Sequence, residues 1–368
     1  MKTLALIYAS EGTGHKSAAF ALREAFLAAN PEGNALCLDI LDFVPPFMKG
    51  LLSGGYDVMA RSAPWLWSRF YWGSDKRGGQ ASAFEWVHGQ FCRACLPKLR
   101  RHLAAKGAEA AIFTHYFGAA EFAAMNRGRA PVYYADTDFE THRFQRSREF
   151  TMSFAGSARA ARQRYAEGIT NVMATGVPVA AKYAHLPTKA EARAKLGLPA
   201  NEKIIIVSGG GIGAGPVQKA AESLAAAGYY VLAVCGGNEK LHASMKAFFM
   251  YKENVRVEGF VPDMENYYAA ADAAVMKPGG LSASEALCAG LPMLLTDPIP
   301  GQEELNLSYL AANGAARPLV IPQRAAEAAD EIFESGEASK MRECALSIAH
   351  PRAAAEIIDI VTQDAGAW

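Results

Sequence analysis

Short runs of consecutive apolar residues alternate with longer stretches whose apolar positions recur every three to four residues. Residues 3–9 form the first such run, and residues 17–29 carry an apolar stripe at helical spacing. Further runs lie at 34–40, 110–114 and 131–135, then at 203–208, 229–235, 255–260, 273–277 and 292–296. Helical patterns fall between them at 91–103, 217–227, up to about 249, 264–271 and 282–289. A strand that is apolar on both faces has to be covered on both faces. The rhythm therefore predicts an α/β fold of parallel sheets with crossover helices. The pattern starts afresh at Lys203 with its own Gly-rich loop, Ser208-Gly209-Gly210-Gly211, so two doubly wound, Rossmann-like domains are expected, joined near Gly176-Val177-Pro178. Ligands of such sheets bind beyond the carboxyl ends of the strands, so the chemistry is expected there, in a cleft where the two domains face each other.

One segment breaks the rhythm. Residues 45–79 are dense in aromatics (Phe47, Tyr56, Trp65, Trp67, Phe70, Tyr71 and Trp72), with Arg61, Arg69, Lys76 and Arg77 among them. An apolar surface ringed by cations suits an anionic membrane or a lipid groove. The same residues also suit a helical hairpin packed on the core, where aromatic stripes more often belong. The chain of 368 residues has 37 Lys plus Arg and 37 Asp plus Glu. Zero net charge argues against a general nucleic-acid binder, whose affinity comes from phosphate neutralisation. The balance is uneven along the chain: residues 1–184 hold 22 basic and 15 acidic residues, and the second half reverses this. That points to an anionic ligand or membrane surface for the first half, unless both faces are merely solvated. No apolar run reaches the roughly 18 residues of a membrane span. The apolar stretch at the N-terminus runs straight into a Gly-rich loop, so it is expected to be a first strand and not a signal peptide. The six cysteines are scattered, and Cys92 and Cys95 lack partners at zinc-ligand spacing, so packing roles and a reducing, cytoplasmic setting are expected.

Three Gly-rich constellations carry candidate chemistry. In Glu11-Gly12-Thr13-Gly14-His15-Lys16-Ser17, glycines let a ligand approach a helix N-terminus, and His15 interrupts what a P-loop would need. The helix dipole disfavours a proton on His15, and a neutral imidazole there can serve as a general base, although a lone histidine is more often structural. The loop from Ser208 to Gly215 can cradle a diphosphate, but no acidic residue follows Val234 to hold an adenosine ribose, which weighs against a dinucleotide oxidoreductase. The third block runs Lys277-Pro278-Gly279-Gly280-Leu281-Ser282-Ala283-Ser284-Glu285 and is followed by Pro300-Gly301-Gln302-Glu303. Its helix start offers N–H groups to a phosphate, and Glu285 can accept both hydroxyls of a ribose. Gln302 and Glu303 can meet sugar hydroxyls at a second helix tip. The bland alternative makes the glycines turns and Glu285 a solvated residue.

Taken together, GTGHKSAAFAL, YYADTDFETHRF, TGVPV and the stretch from EGFVPDMENYY through KPGGLSASEALCAGLP to PIPGQEELN are similar to the monogalactosyldiacylglycerol synthases and processive diacylglycerol glucosyltransferases. That is glycosyltransferase family 28, of the GT-B fold, and the resemblance covers nearly the whole chain. It implies inverting, metal-independent transfer of a hexose from a UDP-sugar to a lipid hydroxyl such as that of diacylglycerol. The reaction would take place at an anionic membrane, on the cytosolic face, by a peripherally bound protein needing no cofactor. It implies an N-terminal acceptor and membrane domain over 1–177, a UDP-sugar domain over 178–349, and a C-terminal helix of about 350–368 packing back on the first. Residue by residue, it makes His15 the base and Asp138, in the TD…H motif beside the acceptor, a second catalytic residue. Gly12, Gly14, His142, Trp65, Trp67 and Tyr71 become acceptor contacts. Ser208 and Gly210 match the diphosphate loop, Gly259 and Phe260 the uracil segment, and Gly279, Gly280 and Ser282 the phosphate-binding helix start. Glu285 matches the ribose carboxylate, and Gln302 and Glu303 the donor-sugar contacts. The pair Asp136-Thr137-Asp138 reads as a DxD, which holds a metal in another sugar-transferase fold, but it lies in the acceptor half and is discounted. Departures, such as Phe144 where tryptophan is common and Leu281-Ser282 in the donor block, leave the hexose and acceptor open. Two alternatives stand beside this reading: a lipid II synthase-like N-acetylglucosamine transferase, against which Gly301-Gln302-Glu303 speaks, and a non-catalytic UDP-sugar sensor, against which the presence of His15, Asp138 and Glu285 speaks.

Overall fold

The computed structural model describes residues 1–10, 13–45, 65 and 82–365. They divide into two compact units: Met1–Ala181 with Ile299–Gln302 and His350–Trp368, and Lys182–Pro298 with Glu303–Ala349.

The first unit is built on a parallel sheet of six strands: β1 (Thr3–Tyr8), β2 (Asn34–Asp39), β3 (Ala110–Phe113), β4 (Val132–Ala135), β5 (Met152–Ala155) and β6 (Val172–Ala174), ordered β2-β1-β3-β4-β5-β6. The pleat splits each apolar run between two cores. Leu4 and Leu6 face the helices Thr13–Ala29 and Ala353–Ala365, packing with Leu22, Phe26, Ile357, Ile358 and Val361. Ala5 and Ile7 point the other way, to Phe91, Leu96 and Leu99 of the helix Ser82–Ala105 and to Phe122. Burial on both faces is why these strands read as unbroken apolar runs. Cys92 and Cys95 are buried in this second core, and desolvation holds both thiols protonated, pushing Cys95 up to about 12.

The second unit repeats the plan with β7 (Ile204–Ser208), β8 (Tyr230–Val234), β9 (Val255–Glu258), β10 (Ala273–Met276), β11 (Met293–Leu295) and β12 (Ala316–Pro318), ordered β12-β11-β10-β7-β8-β9. Ile205, Val207, Val231, Ala233 and Val275 supply one face of this sheet and pack with Leu224, Met245 and Ile332 from the covering helices.

Three strands lie outside the sequence expectation: β5, β6 and β12. Polar residues break up or flank each of them (Ser153 within β5, Asn171 and Thr175 around β6, Arg317 within β12), so none shows a distinct apolar run. The first helix starts at Thr13, earlier than the expected 17, which puts Gly14 and His15 inside its first turn. Of the aromatic segment, only Trp65 falls within the described residues. It is helical and 72% exposed.

Candidate active site

In each sheet the chain order reverses at one place, and there the crossover connections leave in opposite directions and open a crevice at the strand ends. In the first sheet that place is the pair β1 and β3, because β2 lies on the far side of β1. His15 enters just after β1. Thr114 and His115 follow β3, where Thr114 extends the ladder by donating its N–H to Ile7 O at 2.9 Å.

The His15 Nδ1 lies 2.6 Å from the Thr114 carbonyl oxygen, and the Thr114 hydroxyl donates back to the His15 carbonyl at 2.9 Å. A carbonyl can only accept, so Nδ1 carries the proton and Nε2 bears the lone pair. Desolvation pulls the pKa of His15 down to about 4, against the Thr114 carbonyl, which favours the cation. Burial, more than the helix dipole invoked from sequence, keeps the ring neutral. His115 packs edge-on against His15, with centroids 4.5 Å apart at 86°. Its Nδ1 accepts the Phe117 N–H at 3.2 Å, and desolvation, with the neighbouring His15 and His88, depresses its pKa as well. The Thr137 hydroxyl is 3.0 Å from His15 Nδ1 and donates to Asp138 Oδ2 at 3.3 Å.

The other residues around Asp138 have structural partners. Asp136 is fully buried and forms a two-pronged ion pair with Arg164, at 2.7 and 2.8 Å, which commits the first carboxylate of the DxD. Gly156 N–H also donates to Asp136, and a Cβ at Gly156 would stand 2.1 Å from the Asp138 carbonyl oxygen. His142 is buried. Its Nδ1 accepts from Phe144 N–H at 3.3 Å and its own N–H reaches Gln145 Oε1 at 2.6 Å, which makes it the cap of the short turn Arg143–Gln145. Phe144 stacks on both Tyr116 and His88. Gly14 sits in the first helical turn. Gly12, Trp67 and Tyr71 lie outside the described residues.

In the second sheet the reversal falls between β7 and β10. The registers align Met276 with Ser208, Ser208 with Val234 and Val234 with Glu258. The loops that follow these residues therefore leave the sheet at one level: the Lys277–Gly280 turn, the Ser208 loop and Gly259. Ser208 Oγ accepts the Gly210 N–H at 3.2 Å. Gly213 has φ +64°, and a Cβ there would be 1.9 Å from the Cys235 carbonyl oxygen, so the loop folds this tightly only around glycine. The helix Gly280–Cys288 has Gly279 at its N-cap and no side-chain cap, and Ser282 lies in its first turn. Asn306, fully buried, donates to the Pro278 carbonyl at 3.0 Å and fixes the turn that precedes this helix. Glu285, one turn in, is hydrogen-bonded by the Tyr183 hydroxyl, while desolvation raises its pKa to about 7. A Cβ at Gly259 would lie 3.4 Å from the His242 ring, and Phe260 beside it is 69% exposed. Gln302 and Glu303 open the helix Gln302–Ala312, and Glu303 pairs with Lys277 at 3.3 Å.

Thr114, Thr137, Tyr183 and Asn306 were not singled out by sequence. Thr137 stands between two aspartates that were, and Thr114 directly follows a strand. Tyr183 is about a hundred residues from Glu285 and carries no local signal. Among the described residues, His88, Cys92 and Glu121 bring three possible metal-ligand atoms within 4.8 Å of one another. Gly118 N–H donates to His88 Nε2, however, and Nδ1 faces Glu121 Oε1 at 3.4 Å. A metal on Nδ1 would require a proton on Nε2, against that N–H, so the grouping does not suit an ion.

The chain matches the family model for monogalactosyldiacylglycerol (MGDG) synthase over residues 15–179 and that for glycosyl transferases group 1 over residues 188–345. Monogalactosyldiacylglycerol synthase 3 of Arabidopsis thaliana is 32% identical over 237 residues, covering 60% of this chain and 51% of that protein. The spinach (Spinacia oleracea) monogalactosyldiacylglycerol synthase is 26% identical over 378 aligned residues, covering 97% of this chain and 71% of that protein. The chain thus spans about half the length of the first relative. Among solved structures, Acinetobacter baumannii MurG superposes with a TM-score of 0.64 at 16% identity, covering 99% of this chain and all of that one. Phytolacca americana UGT2, complexed with UDP-2-fluoro-glucose and pterostilbene, gives 0.64 at 13% identity with the same coverage. At such identities the likeness concerns the fold, two doubly wound domains of the GT-B type.

Proposed function

We propose, from the match to the family model for monogalactosyldiacylglycerol (MGDG) synthase over residues 15–179 and the likeness to those enzymes, that this chain moves a hexose from a UDP-sugar to a hydroxyl of diacylglycerol or a related lipid. The transfer inverts the anomeric centre, uses no metal, and makes a glycolipid at the cytosolic face of a membrane. The observation that carries this reading is the His15 ring, neutral and held with its lone pair on Nε2 at the switch point of the first sheet. A glycosyl acceptor hydroxyl gains acidity only as its bond to the anomeric carbon forms, so the base must be positioned and unprotonated beforehand. His15 meets both demands: Nε2 takes the proton, and the resulting imidazolium keeps its Nδ1–H on the Thr114 carbonyl.

The second unit supplies the donor side. Glu285 accepts from the ribose hydroxyls, the Gly259–Phe260 segment meets the uracil, and the diphosphate lies between the Ser208 loop and the uncapped start of the helix Gly280–Cys288. Backbone N–H groups and the helix dipole stabilise negative charge on the departing UDP, and they are in place before the bond breaks. Glu303, at the next helix tip, suits the hexose hydroxyls, as does Gln302 beside it, which is counted with the first unit and donates from Nε2 to the Glu140 carbonyl at 2.9 Å. The excess of basic residues in the first half and the exposed Trp65 suit an anionic bilayer that presents the acceptor.

The test is UDP release with UDP-glucose, UDP-galactose, UDP-glucuronate and UDP-N-acetylglucosamine, each with and without diacylglycerol in anionic vesicles. The proposal expects release with one hexose donor to depend on the lipid. UDP binding without lipid-dependent release from any donor would contradict it and favour a sensor.

A further inference from the structure

We propose that Thr137 is the positioning residue of the base: its hydroxyl couples the Asp138 carboxylate to His15, so that Asp138 acts on the base through Thr137. The inference rests on the reading of His15 as base and assigns the Thr137 hydroxyl a task within it. The argument is one of proton counting. Nδ1 of His15 has two oxygen neighbours, the Thr114 carbonyl at 2.6 Å and Thr137 Oγ1 at 3.0 Å. If Thr137 donated to Nδ1, that nitrogen would be bare, and its lone pair would face the carbonyl oxygen at 2.6 Å. Nδ1 therefore carries the proton and shares it between the two oxygens. The single proton of the Thr137 hydroxyl is then directed to Asp138 Oδ2, at 3.3 Å. The chain of donors runs from imidazole to hydroxyl to carboxylate.

The surroundings hold this chain in place. Thr137 is 3% exposed, so water competes little for its hydroxyl. Thr114 binds His15 twice, through its carbonyl to the ring and through its hydroxyl to the His15 backbone. Gly156 lets the Asp138 carbonyl approach closer than any side chain would allow. When Nε2 takes a proton, positive charge appears on the ring, and a hydroxyl polarised by a carboxylate stabilises it more than a hydroxyl alone. Asp138 need not touch the ring to have this effect.

The experiment compares Thr137→Val, Thr137→Ser, Asp138→Asn, the double variant Thr137→Val with Asp138→Asn, and His15→Ala in the full chain, measuring lipid-dependent turnover. Thr137→Val keeps the shape and removes the hydroxyl. It is expected to lower kcat about tenfold, the worth of one hydrogen bond, with KM nearly unchanged. Thr137→Ser is expected to restore most of the loss. The double variant is expected to cost no more than the larger single one, because the two residues act in series. In proton NMR the His15 Nδ1–H resonance is expected to shift upfield in Thr137→Val and to return in Thr137→Ser, a readout independent of turnover. Wild-type kcat in Thr137→Val, or losses that multiply in the double variant, would overturn the coupling while an inactive His15→Ala leaves the base reading standing. A fully active His15→Ala would overturn both.

Discussion

Glu285 shows how a single residue can meet opposing demands. The proposed contact with two ribose hydroxyls favours an ionised carboxylate, yet desolvation raises its pKa to about 7, against the Tyr183 hydroxyl, which favours the anion. Near neutral pH the carboxyl is therefore poised between its two forms. Affinity for UDP-glucose, whose diphosphate is a diester and does not itself titrate in this range, is expected to rise between pH 6 and 8. In Glu285→Gln it should be weaker and flat with pH. A wild-type affinity that is constant from pH 6 to 8 in calorimetry would contradict this assignment. Stability carries the opposite sign: a carboxyl whose pKa is raised on folding stabilises the chain below the unfolded value, near 4.3, and that contribution is lost as pH rises through about 7. At this scale the sequence was informative wherever a residue type was tied to a strand end, as with His15 and Glu285. It was silent where a partner arrives from elsewhere in the chain. Tyr183 reaches Glu285 from about a hundred residues away, and Thr114 fixes the His15 tautomer from 99 residues away.

Among elements, the turn after β4 is held by contacts that only the folded chain creates. Asp136 is committed to Arg164 of the helix Ala158–Ala166, and the Asp138 carbonyl rests against Gly156 after β5. The DxD spacing read in the sequence is thus split between a buried ion pair and the neighbourhood of the base. Gly156→Ala would place a methyl group 2.1 Å from a backbone oxygen that cannot rotate away. This substitution is expected to destabilise the first unit by about 2–3 kcal/mol, seen as a lower denaturation midpoint, because the strand end and the turn must separate. An unchanged midpoint would show that the turn moves freely. Strands lying in unbroken apolar runs and amphipathic helices were legible because their patterns differ. The strands β5, β6 and β12 were not, since Ser153, Arg317 and the residues Asn171 and Thr175 around β6 break up their apolar runs. The early start of the first helix was missed because Gly14 is a poor helix former and its place in the first turn is set by context.

Over the whole molecule, two sheets of the same plan carry the candidate groups. Each reverses its strand order once, and several candidate groups lie at that reversal: His15 and Thr114 after β1 and β3, the Ser208 loop and the Lys277–Gly280 turn after β7 and β10. That placement follows from topology, which is why a count of apolar runs and Gly-rich loops already placed these candidate groups at strand ends. The acceptor contacts were less accessible to such reasoning, because aromatic side chains serve cores and lipid surfaces alike, and Gly12, Trp67 and Tyr71 lie outside the described residues. The central claim is that His15 activates a lipid hydroxyl for attack on a UDP-bound hexose. Its most direct test is the transfer of labelled hexose from a UDP-sugar into the organic phase with diacylglycerol vesicles, for wild type and His15→Ala, with UDP affinity measured in parallel. The account predicts labelled glycolipid from the wild type, a loss of at least a hundredfold in His15→Ala, in line with the ordinary worth of a general base, and unchanged UDP affinity. Labelled lipid formed by His15→Ala at the wild-type rate would contradict it.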